Sequence, residues 1–368
     1  MKNIFLIYLI SVLSYIANAQ KGVLVDSLMR EGDDVLYKSK LYTGPAFTLH
    51  DNGQIKWNGN YILGKLNGLV SIKDENGQVL WQSQYKDGKE NGISKYWYST
   101  GELYSEVNYK DGKAEGIEKQ WYENGQLQYI CNYIDGNLNG IYKKWYESGQ
   151  LMSEFNYNED SLEGVSKKWF ENGQLQYVGN YINGNLDGIY KEWYESGQLR
   201  SELNFKKDSL EGVSKVWHEN GKLMSEATFI NDVFDGIVII WNENGNLETK
   251  SNFNKGVSEG VDSAWYENGQ LQSIFSFKDD NLDGIYKEWY ESGQLKSEFN
   301  YKENIFEGVN RKWHENGQLF FIIDFKDGEL IDARFWDEDG KTLEDTPTEI
   351  ENPTPTKKME LPDFSNQG

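Results

Sequence analysis

With 368 residues, a net charge of −22, 38% hydrophobic residues and a single cysteine, Cys131, the chain excludes several classes at once. An acidic protein does not suit nucleic acid or anionic lipid headgroups, which are bound by basic surfaces. One cysteine rules out an intramolecular disulfide.

The chain opens Met1-Lys2, runs apolar from Ile4 to about Ile16, and reaches Ala17-Asn18-Ala19. A basic start, a short apolar core and a small-residue site describe a secretory signal peptide. Residues 1–19 are therefore expected to be a cleaved leader, and the mature protein to be exported, in the periplasm, at the cell surface or secreted. The run is too short for a membrane anchor, and no transmembrane segment is expected after cleavage. Residues 20–43 read as an N-terminal capping segment. Leu36-Tyr37-Lys38 falls where the second strand of a preceding half-unit would lie, so residues 33–44 are expected to cover that edge of the sheet.

Residues 44–343 are a repeat array. Trp97, Trp121, Trp145, Trp169, Trp193, Trp217, Trp241, Trp265, Trp289 and Trp313 stand 24 residues apart without a slip. One full unit runs Gly140-Ile-Tyr-Lys-Lys-Trp145-Tyr-Glu-Ser-Gly149-Gln-Leu151-Met-Ser-Glu154-Phe-Asn156-Tyr157, followed by a polar loop to Gly164. Leu49 and Lys73 fill the tryptophan slot of two earlier units, and Trp336 heads a last one arriving a residue early, which makes 13 copies. A fixed period of this length is the mark of stacked-repeat proteins, and it overrides the two or three domains that length alone would suggest.

Each copy places a turn between two alternating stretches, as in Tyr122-Glu-Asn-Gly-Gln-Leu127. Asn-Gly there signals a β-hairpin with a type I′ turn, whose two central residues both need positive φ. The structural turn glycines are Gly101, Gly125, Gly149, Gly173, Gly197, Gly221, Gly245, Gly269, Gly293 and Gly317; serine or threonine replaces asparagine at Ser148, Ser196, Ser292 and Thr100. A two-residue turn sets Lys95 opposite Glu106, Lys143 opposite Glu154, Lys191 opposite Glu202, Lys215 opposite Glu226 and Lys287 opposite Glu298. Opposite charges are what cross-strand neighbours favour. The same register lays Tyr133 over Gly116 and Tyr157 over Gly140.

Alternation then separates two faces. One carries the tryptophans, the Lys–Glu pairs, the Ile or Val after each opening glycine and an asparagine row (Asn108, Asn132, Asn156, Asn180, Asn204, Asn252, Asn300). The other carries Tyr122-like rings, the Leu127 position, sites such as Phe155, and an aromatic row including Tyr109, Tyr133, Tyr157, Tyr181, Phe205 and Phe229. A lone hairpin is not stable in water, so the copies must stack. The expected fold is all-β: an elongated single-layer antiparallel β-meander of about 13 stacked hairpins, roughly 120 Å long at the usual strand spacing. Residues 140–163 match 188–211 and 284–307 better than their direct neighbours, which adds a 48-residue superperiod. Residues 344–368 hold four of the five prolines and read as a disordered acidic tail.

The Gly-Ile-Tyr-Lys-x-Trp-Tyr-Glu-Asn-Gly-Gln-Leu run, with its later Tyr and Gly positions, resembles the MORN-repeat variant of bacterial proteins, over nearly all of the mature chain. The resemblance implies an antiparallel single-layer β array serving as an interaction scaffold. Some bacterial members are classed as antitoxins of the YwqK type, and eukaryotic MORN proteins are associated with membrane tethering and lipid-kinase regulation.

Chemistry-bearing residues are sparse. His50, His218 and His314 all occupy the slot after the tryptophan position, repeats apart, and read as aromatic fillers. Cys131 takes a slot held by Gly179 and Phe155 in related copies and reads as a small apolar filler. Asp279-Asp-Asn281-Leu-Asp283-Gly284 and Asp135-Gly-Asn137-Leu-Asn139-Gly140 match the first half of a calcium loop. Position twelve would be Tyr290 or Tyr146 in place of the bidentate glutamate, so the turn reading is preferred. No catalytic, cofactor or metal residues are assigned, and the chain is not expected to be an enzyme. The expected function is an exported scaffold that binds a protein or peptide through a long aromatic-lined sheet face fronted by the ten tryptophans. A glycan or cell-wall ligand is the first alternative, since planar rings beside Asn and Glu suit sugar faces. An antitoxin or immunity role is the second, by family resemblance.

Overall fold

Each tryptophan-centred repeat from Trp97 to Trp313 folds as the hairpin its alternation dictates. Gly140–Trp145 pairs with Leu151–Asn158, and the short Ser161–Leu162 continues from it toward the next hairpin, Gly164–Trp169. The computed structural model describes residues 22–343; the expected leader, 1–19, and the expected tail, 344–368, lie outside the described residues. Two units can be distinguished, one ending at Gly173 and one beginning at Gln174, and in each the hairpins succeed one another antiparallel along a sheet. No helix among the described residues is long and apolar enough to cross a membrane.

The charged register is as expected: Lys95, Lys143, Lys191, Lys215 and Lys287 each lie directly across from their glutamates. Tyr133 also faces Gly116, and Tyr157 faces Gly140. The turn that produces this register differs from the expected one. At Glu123-Asn124-Gly125 the Gly125 N–H donates to the Tyr122 carbonyl at 2.9 Å and the Tyr122 N–H donates to the Gln126 carbonyl at 2.8 Å. Only the glycine is left-handed (φ +82°). This is a three-residue loop with glycine at the αL position. The register then slips by one residue, because Trp145 faces Leu151 whereas Lys144 faces Ser153. The extra loop residue and the slip cancel, so the pairs beyond them match those of a two-residue turn. The type I′ geometry occurs instead between repeats, where Glu159 and Asp160 (φ 48° and 66°) or Asp135 and Gly136 (φ 53° and 91°) turn the chain.

In the first unit the edge is closed differently from the expectation for residues 33–44. Val23–Leu24 runs parallel to Gly44–Leu49 and extends the sheet. Asp34–Tyr37 turns back on Met29–Glu31 and pairs with Lys40–Leu41, forming a small sheet of its own. The nearest strand in sequence captured it, and its Val35 N–H reaches the Gly64 carbonyl at 2.9 Å. Tyr42, Ala46 and Tyr61 form the buried cluster beneath. At the other end, Trp336 makes an isolated bridge to Thr342, a stub of the last expected hairpin.

Packing on the tyrosine face follows the superperiod. In the second unit Tyr190, Leu203, Leu210, Ala227, Phe229 and Val238 form one buried cluster. Tyr286, Phe299, Tyr301, Phe321, Ile323 and Phe335 form another. Rings stack along the sheet, as Tyr286 on Phe299 (5.8 Å, 7°) and Phe299 on Phe321 (6.1 Å, 17°). Large residues sit against small ones. A Cβ on Gly179 would lie 2.9 Å from both Leu186 and Tyr190, so the ring of Tyr190 needs glycine there.

Candidate functional site: two sheet faces

By strand alternation Ile189, Lys191 and Trp193 share one face, and Tyr190, Glu192 and Tyr194 the other. The ten candidate tryptophans, from Trp97 to Trp313, are all partly buried. More exposed than they are is the β-branched row beside them. Ile93, Ile117, Ile141 and Val165 in the first unit, and Ile189, Val213, Ile237, Val261 and Ile285 in the second, are 45–55% exposed. The sequence placed these residues on this face but did not single them out.

Between these rows run the ion pairs, Lys143–Glu154 and Lys191–Glu202 at 2.8 Å and Lys215–Glu226 at 3.1 Å among them. The asparagine row is occupied by the backbone. Asn108, Asn132, Asn156, Asn180 and Asn252 each donate a side-chain N–H to the carbonyl seven residues on, at 2.8–3.1 Å. That carbonyl belongs to the residue before each opening glycine, where the strand kinks, and at Asn132, Asn156, Asn180 and Asn252 the same residue's N–H returns a bond to the asparagine's own carbonyl. These asparagines clamp the kink, each committing an amide N–H to it.

The opposite face carries a ladder that sequence reasoning missed. Tyr98, Tyr122 and Tyr146 donate their hydroxyls to the carbonyls of Trp121, Trp145 and Trp169 at 2.8–2.9 Å. Tyr194, Tyr266 and Tyr290 repeat this on Trp217, Trp289 and Trp313. The histidines substitute in kind: the ring N–H of His218 bonds the Trp241 carbonyl at 2.9 Å, His314 bonds that of Trp336 at 3.1 Å, and His50 that of Lys73 at 2.9 Å. A slot shared by Tyr and His was the available signal. The tryptophan slot thus supplies a backbone acceptor as well as a ring.

Cys131 is buried, and burial beside the Glu118 carboxylate pushes its thiol up to about 12, far from a nucleophile's range. Tyr129 donates to Glu118 at 2.6 Å in the same cluster. In the Asp279-to-Gly284 loop the acidic groups serve neighbouring turns: Asp280 accepts the Ser258 N–H at 2.7 Å and Asp283 that of Glu303 at 3.4 Å. Asp279 and Asp280 are both left-handed, as a type I′ turn requires. Among the described residues no group of three His, Cys, Asp or Glu is placed to hold a metal ion.

A family model described as the MORN repeat variant matches residues 90–111, 114–135, 138–159, 162–183, 186–207, 210–231, 234–255, 259–279, 282–303 and 306–327. These ten matches contain the ten tryptophan-centred hairpins. No curated protein matches the chain. Among solved structures, the TcdB2–TccC3–TEV crystal structure is 12% identical over 84% of this chain and 19% of that one, with a TM-score of 0.16. The Photorhabdus luminescens Tc holotoxin pore carrying a TccC3 mutation is 11% identical over 82% and 18%, with a TM-score of 0.17. The chain therefore spans less than a fifth of the length of those two structures.

Proposed function

From a chain that belongs to the MORN repeat variant family, we propose a non-catalytic scaffold, exported from the cell, that binds a protein or peptide along the sheet face bearing the tryptophans. One observation carries this reading: a β-branched side chain about half exposed at the same slot of successive repeats, beside a partly buried tryptophan. Solvated apolar rows of this kind mark interaction surfaces. The opposite face spends its rings on its own packing and on the carbonyl ladder, which leaves the tryptophan face as the apolar surface available to a partner. The buried Cys131 thiol, raised to about 12, and the three histidine rings, each bonded to a carbonyl, support a non-catalytic role.

The test uses the mature chain as bait in an extract of its own cells, against a variant with Ile189, Val213 and Ile237 all changed to Ser. The expected result is a specific captured protein lost in the variant, with the thermal midpoint within a few degrees of wild type. Equal capture by both chains would sink the assignment to this face. N-terminal sequencing of the cell-surface or extracellular fraction checks export, with a new terminus at Gln20 expected.

A further inference from the structure

On the tyrosine face of the second unit, the corner at Tyr266 differs from its counterparts at Tyr194 and Tyr290 at several positions together. A cation caps the ring at Tyr290 and Tyr194, whereas other copies carry a neutral residue in the same slot, such as Gln128 in the Tyr122 hairpin and Met152 in the Tyr146 hairpin. Lys296 Nζ lies 5.7 Å above the Tyr290 ring and 2.8 Å from Glu288. Arg200 lies 5.9 Å from the Tyr194 ring and 3.6 Å from Glu192. Each ring is thus capped by a cation from its own hairpin, and that cation is neutralised by a carboxylate on the adjacent strand. At Tyr266 the corresponding residues are Gln272 and Ala264, so its own hairpin supplies neither cation nor carboxylate, and the nearest such pair is Lys296 and Glu288 of the next hairpin.

The preceding hairpin is altered too. Asn242 stands where Tyr, Phe or His stands in the other tryptophan-centred copies, and Glu248 fills the slot of Arg200 and Lys296. Asn242 bends back on its own turn, where its Oδ1 accepts the Asn244 and Asn246 N–H groups at 3.0 Å. It makes no rung to the Trp265 carbonyl, whereas Tyr266 keeps its own rung to Trp289 at 2.8 Å. These replacements leave a cavity of about 280 Å³ lined by Asn242, Glu248, Thr249, Ala264, Trp265 and Tyr266. Thr249 Oγ1 is buried there with no hydrogen-bond partner.

We propose that this cavity takes an ammonium or guanidinium group on a short alkyl stem, supplied from outside the chain. The cation takes the place over Tyr266 that Lys296 takes over Tyr290, donates to the Trp265 carbonyl that lacks its rung, and pairs with the Glu248 carboxylate. A cation over an aromatic face in a partly desolvated site is a favourable arrangement, and the chain already forms it internally at equivalent corners. The site lies on the face opposite the proposed interaction surface and goes beyond that reading.

The experiment titrates the full-length chain with butylammonium chloride while backbone amide shifts are followed by NMR. Saturable shifts confined to residues 242–275 are expected, with butan-1-ol, the neutral chain of equal length, binding at least tenfold more weakly. Asn242→Tyr restores the missing ring and Gln272→Lys supplies an internal cation; each is expected to abolish the shifts. The second variant decides the matter if the first perturbs folding. A peptide acetyl-Gly-Lys-Gly-amide separates the sources. Binding tenfold tighter than butylammonium assigns the site to a partner's side chain, and equal binding assigns it to free amines. Equal binding of butan-1-ol, or butylammonium binding retained in Gln272→Lys, overturns the proposal. The Ile189, Val213 and Ile237 variant leaves this titration unchanged, so the two readings fail separately.

Discussion

Asp262 and Asn310 occupy one slot two repeats apart and hold the same backbone group. Asp262 Oδ1 accepts the Asn252 N–H at 3.2 Å, and Asn310 Oδ1 accepts the Asn300 N–H at 2.7 Å. They differ in charge. Burial raises the Asp262 carboxyl above its ordinary value, against smaller lowering effects from Ser251 and Asn252. A raised folded-state value means the folded chain holds that proton more tightly than the unfolded chain. The stabilisation is therefore full below the unfolded carboxylate value, about 4, and is lost as pH rises through the folded one. At neutral pH the ionised group opposes folding. Asp262→Asn, which copies Asn310, is expected to stabilise the chain at pH 7 by about 1 kcal/mol, the scale of one buried polar contact. The advantage should shrink toward pH 4. Thermal melts of both chains across that range check this, and a variant less stable at pH 7 would refute it. The sequence displayed the asparagine row and both acidic loops, yet not their work. Asn132, Asn156, Asp280 and Asp283 among them bond backbone groups whose positions depend on a kink or on a neighbouring repeat.

At the scale of the hairpin, register was legible and turn type was not. The lysine–glutamate pairs constrain register from their charges alone. Asn124-Gly125 suits two turn types, and stacking chooses between them. Asn124 Nδ2 donates to the Glu147 carbonyl of the next turn at 3.1 Å while its Oδ1 accepts the Gln126 N–H at 2.9 Å. Such an asparagine favours the looser loop because its amide gains a partner that a lone hairpin lacks. The two turn types predict different mutants. Gly125 has φ +82° and open space around the position of a Cβ, so Gly125→Ala costs conformation alone, about 1–2 kcal/mol. Asn124→Gly is expected to cost about 1 kcal/mol through its two lost hydrogen bonds. In a type I′ turn the latter change would be neutral or stabilising, because glycine adopts positive φ freely. Urea unfolding of the two variants distinguishes the cases.

For the whole molecule, the repeat of 24 residues sets the strands and the repeat of 48 sets the packing. The superperiod was visible in the sequence; its physical reason is the alternation of Tyr142, Ser166, Tyr190 and Ser214 in one slot of the tyrosine face. Tyr129 stacks on Tyr142 at 5.7 Å, and Tyr177 stacks on Tyr190 at 5.6 Å. In a stacked array each repeat is stabilised by its immediate neighbours, so a deletion should be tolerated when it brings equivalent neighbours together. Removing residues 140–187 brings Tyr190 to the place of Tyr142 against Tyr129. Removing residues 140–163 brings Ser166 there and leaves the Tyr129 ring without its partner. The longer deletion is therefore expected to keep one cooperative urea transition with a smaller denaturant slope, as fits the smaller surface exposed on unfolding. The shorter one, although it removes half as much chain, should lose about 2–4 kcal/mol more, the cost of a large-to-small change in a packed site. Circular dichroism during urea unfolding measures both. If the shorter deletion proves the more stable, stability follows the number of repeats, and the pairing of large with small side chains has no governing role.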